Sequence, residues 1–105
     1  MATITELDIT GHNDRPTPNR FFNQEQAAPW LGIVFPGLGY TADMPLLYYA
    51  TRLLLDRGAD VLQLRANYMT AEFEALSAEE RTHWTHADAT ALVQAGLAQR
   101  QYEHI

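Results

Sequence analysis

The chain contains no cysteine, few basic residues and a single serine, Ser77, and each shortage closes a class of function. Without cysteine there is no disulfide framework, no thiol nucleophile and no thiolate metal site, while the redox compartment stays open. Seven Lys and Arg stand against thirteen Asp and Glu, giving a net charge of -6 and a pI near 5.0. The basic residues are scattered, so the clustered positive charge that phosphate backbones require is missing. Neither nucleic acid nor an acidic membrane is expected as a partner. MATITELDIT lacks the basic region and apolar core of a signal peptide, and no apolar run is long enough to cross a bilayer, so the expected location is cytoplasmic. What is present is 47% hydrophobic residues in 105, enough for one domain, or part of one, with a modest core.

Thr3 to Thr10 alternate β-branched or apolar with polar side chains, and Gly11-His12-Asn13-Asp14 supplies turn chemistry. Arg15-Pro16-Thr17-Pro18-Asn19 is held extended by its prolines, and RFFNQ offers a second strand, so residues 1–29 are expected to form an antiparallel hairpin and loop. Leu31 to Phe35 is continuously apolar between Pro29 and Pro36, the pattern of a strand buried on both faces and the candidate for a central strand. From Asp43 to Arg57 the spacing is helical. Leu47, Ala50, Thr51 and Leu54 fall on one stripe with Leu46, Tyr49 and Leu53 beside it, Pro45 falls in the first turn, and Gly58 is placed as a C-cap. Val61 to Tyr68 returns to period two, with Gln63, Arg65 and Asn67 on a polar face. Residues 30–68 therefore read as a βαβ unit with a right-handed parallel crossover. In residues 69–105, Ser77-Ala78-Glu79-Glu80 is a capping box opening a long helix to about Arg100. Trp84, Ala87, Ala91, Ala95, Ala98 and Tyr102 share one stripe, and Val93 and Leu97 point to a second contact. The fold class is α/β.

Chemistry concentrates in the turn Pro36-Gly37-Leu38-Gly39-Tyr40-Thr41, where two glycines permit close backbone approach ahead of a helix N-terminus. One reading is a dinucleotide site, since Gly37, Gly39 and Ala42 fit G-x-G-x-x-A. The next strand, however, has no acidic residue near its end to hold a ribose. Another is a strand-to-helix connection without a ligand. The third follows from the run IVFPGLGYTADMPLLYYATRLLLDRGADVLQLRANY, which resembles the N-terminal half of an α/β-hydrolase. In that family antiparallel strands precede a third strand that ends in an H-G-x-G-like turn, a helix follows, and the next strand returns in parallel. Pro36-Gly37-Leu38-Gly39 looks like that turn with Pro in place of His. The resemblance implies that the backbone N–H of Leu38 is the first oxyanion donor and that Gly39 gives the loop room. It also implies an ester-like small-molecule substrate for a complete protein. By the family's strand order, Leu31 to Phe35 pairs on one side with Val61 to Tyr68 and on the other with a fifth strand. In these residues alone that second side is an open edge, suited to self-association or a partner chain.

The family's G-x-S-x-G elbow, acid and His are not found in this sequence. Ser77 sits in a helix cap, so no nucleophile or triad is identifiable, and activity of the chain alone is not expected. No cofactor and no metal is implied. Glu79, His83 and His86 share a helical spacing that could offer zinc ligands, but an acidic first turn followed by His is also ordinary helix surface. His12 and His104 read as isolated. Asp43 reads as an N-cap or first-turn acid, and Tyr48 and Tyr49 as packing residues. Arg65 and Asn67 lie at the strand end where open α/β sheets place ligand contacts, or on a partly exposed strand face.

Overall fold

In the computed structural model of the protein, residues 2–36 and 42–105 are described. The strands are β1 (Ala2–Thr5), β2 (Asn19–Gln24), β3 (Leu31–Val34) and β4 (Asp60–Leu64), and the helices are α1 (Pro45–Asp56), α2 (Ala71–Glu74) and α3 (Ala78–Leu97). The strands form one mixed sheet in the order β1-β2-β4-β3. β1 and β2 are antiparallel, with Ala2 opposite Gln24 and Thr5 opposite Phe21, and β2 is antiparallel to β4. β3 and β4 are parallel, with Leu31 opposite Asp60 and Val34 opposite Gln63, so the α/β class and the βαβ unit are present as read.

Helices cover both faces. On one, Leu47, Leu54 and Leu55 of α1 pack with Phe22, Val34 and Val61; on the other, Leu92, Ala91 and Ala95 of α3 pack with Phe21, Leu31, Leu62 and Leu64. Every residue of β4 is buried, and it lies inside the sheet with β2; the apolar Leu31 to Phe35 run, read as the candidate for a central strand, is at the edge, which is the open side expected of it in these residues alone. β3 is an edge strand of four residues, and Phe35 beyond it is half exposed. Strand length misled the reading of β4: pairing ends at Leu64, and the polar Gln63 is accommodated under α1 because its side-chain amide donates to Thr51 Oγ1 at 3.0 Å.

Other boundaries also shift. β1 stops at Thr5, and the chain then folds over α3, where Ile9 joins the core and a 3-10 turn forms at His12–Asp14. The cap of α1 is Met44, with no side-chain bond, because Asp43 is engaged elsewhere. Gly58 at φ +84° ends the α1 segment as its sequence suggested. The capping box of α3 is complete: Ser77 Oγ accepts from Glu80 N–H at 3.1 Å, and Ser77 N–H donates to Glu80 at 3.2 Å. The buried face of α3 centres on Asp88, Leu92 and Gly96, one step round from the alanine stripe. Gly96 permits the approach, since a Cβ there would stand 2.9 Å from Leu62 and 3.1 Å from Leu31. α2 was not foreseen; Thr70 caps it. Tyr48 and Tyr49 are exposed on α1 rather than packed, because the sheet takes only the Leu47, Thr51 and Leu54 face.

Candidate functional site

The carboxyl ends of β3 and β4 are where an open α/β sheet exposes backbone and side chains to a ligand. Leu38 and Gly39, the oxyanion-loop candidates, lie outside the described residues. At the carboxyl end of β4 the described side chains form a chain of contacts. Arg65 holds Asp43 at 2.6 Å, donates to Gln63 Oε1 at 3.0 Å and ties its own N–H to Pro18 C=O at 2.8 Å. Gln63 passes the contact to Thr51 of α1. The hydrogen bond from Arg65 holds the Asp43 carboxyl below its ordinary range, with smaller attraction from the Arg65 and Arg20 charges. Arg20 and Arg65 also line an open cleft of about 420 Å³ with Glu6 and Asn19. This end can present guanidinium groups to a carboxylate or similar anion, provided that Asp43 yields Arg65. Among the described residues it offers no nucleophile identifiable as such. Asn67 is exposed and turns its Oδ1 to the N–H of Met69 at 3.0 Å, apart from this group.

A second cleft, of about 280 Å³, lies across α3 and is lined by His12, Asn13, Glu72, Glu80, His83 and Trp84. His12 is not isolated, as its sequence position suggested. Its ring stacks on Trp84 at 4.5 Å and meets His83 edge-on at 6.2 Å. The turn that carries it is pinned by Asp88, whose Oδ1 accepts the His12 N–H at 2.9 Å, and it places Asn13 and Asp14 at φ 53° and 57°. Arg15 lies 5.4 Å above the Trp84 ring and forks onto Glu72. Among the described residues no group of three or more His, Asp or Glu is placed to hold a metal ion, so Glu79, His83 and His86 are not brought together as ligands. His104 is likewise engaged, stacked on Trp30 at 4.1 Å.

Sequence reasoning missed two buried carboxylates. Asp60, fully buried at the start of β4, accepts from Gln24 N–H at 2.7 Å and Tyr102 O–H at 2.6 Å, and pairs with Arg100 at 3.1 Å. Asp88 accepts from Tyr68 O–H at 2.6 Å. Burial foremost, then the hydrogen bond to the carboxylate, raises both tyrosines above the ordinary phenol value. The available signal was an acid inside an otherwise apolar periodic stretch at each position; their partners are distant in sequence and left none.

The chain matches no family model, no curated protein and no solved structure. No helix among the described residues is long and apolar enough to cross a membrane.

Proposed function

We propose that this chain is the N-terminal part of an α/β-hydrolase, contributing the oxyanion side of a site that hydrolyses an ester, thioester or amide in the complete protein. By itself it has no turnover. The sheet carries this reading: an antiparallel pair comes first, then β3 and β4 in parallel joined by a helix, and among the described residues no strand lies on the other side of β3, where the family's order places a fifth. The last residues agree in direction, since His104 forms a parallel bridge with Trp30 at the start of that open side. Leu38 N–H is the oxyanion donor in this account and Gly39 gives the loop its room. Ser77 is no nucleophile, because its hydroxyl is committed to the α3 cap.

The exposed apolar side chains beside that edge favour a second reading, a non-catalytic domain that functions by binding a partner. Hydrolysis of p-nitrophenyl acetate separates the two. Turnover is expected from the protein expressed from its complete coding sequence and none from residues 1–105 alone. Absence of turnover in both, or turnover by residues 1–105 that Ser77→Ala abolishes, contradicts the hydrolase reading.

A further inference from the structure

Two guanidinium groups share one face of the sheet where β2 and β4 pair. Arg20 of β2 stands opposite Gln63 of β4, and directly opposed residues turn their side chains to the same side. That side is the one under α1, since Gln63 donates to Thr51. Arg65, two residues on, donates to Gln63 Oε1 and so lies on it too, diagonal to Arg20 and within reach of a long side chain.

The two are held differently. Arg65 is oriented from behind: its backbone N–H goes to Pro18 C=O, and the buried Gln63, tied to Thr51, accepts from Nη1. Those contacts are neutral, so the guanidinium is aimed whether or not an anion meets it. Its anionic partner is Asp43, which receives Nη2 on one oxygen at 2.6 Å and Nη1 on the other at 3.4 Å, the two-point contact that a planar carboxylate makes with a guanidinium. The Asp43 side chain is mostly exposed, so water competes for the same contact. Arg20 is half-buried; among the described residues its guanidinium has no hydrogen bond and no ion pair, and its charge attracts Asp43 only weakly, after Arg65. One exposed carboxylate thus serves two cations.

The open cleft toward β1 supplies room beside them. Ile4, opposite Phe22 on the α1 side yet 58% exposed, gives it an apolar wall with Pro18, while Arg20 and Arg65 give a positive wall and Glu6 a negative rim. We propose that this cleft binds a small organic monocarboxylate, whose carboxyl group replaces Asp43 on Arg65 and gives Arg20 an anionic partner, with the apolar body against Ile4 and Pro18. A carboxylate is the group of choice because Asp43 displays its fit on Arg65. A dianion such as phosphate is disfavoured by Glu6 in the same cleft. Asp43 is then an internal competitor that the ligand displaces. The binding stands apart from the hydrolase reading, since it needs no nucleophile.

Titration of this chain with benzoate at constant ionic strength, followed by nuclear magnetic resonance, tests it. Saturation is expected at roughly millimolar concentration, with the Ile4 methyl and Arg20 side-chain signals shifted by the benzoate ring. Arg65→Gln is expected to weaken binding at least about fivefold, and Arg20→Gln about two- to fivefold. Asp43→Asn should tighten it about two- to fivefold, the weight of an exposed ion pair, an outcome that a purely structural pair would not give. Asp56→Asn, the same charge change at the far end of α1, leaves the affinity as it was. No saturation, unchanged affinity in Arg65→Gln, an Asp43→Asn variant that binds no tighter, equal tightening by Asp56→Asn, or phosphate bound more tightly than benzoate overturns the proposal.

Discussion

At the amino end of β4, Asp60 is fully buried and holds Arg100 at 3.1 Å; at the carboxyl end, Arg65 holds Asp43 at 2.6 Å while the Asp43 side chain is 63% exposed. The two pairs share residue types and differ in surroundings. Asp60 also receives the Gln24 N–H and the Tyr102 hydroxyl, while Arg100 reaches the Gln26 carbonyl at 2.6 Å and also contacts Asn23 and Gln24. That cluster fastens the chain after α3 to β2 and β4. Water competes with the Asp43 pair, so it contributes little to folding, and Arg65 can change partners. The shorter distance therefore belongs to the weaker link, and burial rather than separation distinguishes the structural end of the sheet from the one open to chemistry.

Removing the buried carboxylate strains this comparison most. Asp60→Ala leaves the Arg100 guanidinium without its charge partner and is expected to lower unfolding free energy by about 3–5 kcal/mol, measured by urea denaturation. Next is Asp88→Ala, which leaves Tyr68 O–H and His12 N–H without their acceptor. A loss of about 1–3 kcal/mol is expected, with the His12 and Trp84 ring contact loosened in nuclear magnetic resonance spectra. The tyrosines bound to these carboxylates add a pH dependence. Their folded values are raised, so their contribution is fully present below the ordinary phenol value and is lost as pH climbs above it, because the unfolded chain releases those protons first. Urea midpoints should fall as pH rises above about 10, and Tyr68→Phe with Tyr102→Phe should flatten the decline. Smallest of all, Asp43→Asn should change stability by no more than about 1 kcal/mol. A loss of several kcal/mol there would erase the distinction between the two ends.

Much of the framework was legible because it depends on local chemistry. The antiparallel strands, the apolar β3, Gly58 after α1 and the Ser77 capping box are set by residues close in sequence, and the structure carries each of them. What escaped depends on which element lies opposite. Leu31 to Phe35 reads as a buried strand, yet among the described residues only His104 meets its outer side, at Leu31, whereas the polar-faced Asp60 to Leu64 is interior because α1, α3, β2 and β3 enclose it. Tyr49 and Leu53 carry the same apolar signal as Leu47 and Leu54, and only the direction of the sheet from α1 separates them. His12 finds Trp84 across 72 positions of sequence, and Asp60 finds Tyr102 across 42, distances over which periodicity says nothing. The candidate oxyanion residues Leu38 and Gly39 stand on their sequence motif and lie outside the described residues.

The central claim is that β1-β2-β4-β3 is the first part of a hydrolase sheet whose site is completed by a strand along β3. The most direct measurement is the coding sequence after the Ile105 codon. The account predicts an in-frame apolar strand followed by G-x-S-x-G, which would set a nucleophile beside the Pro36 to Thr41 turn. A stop codon at that point contradicts it.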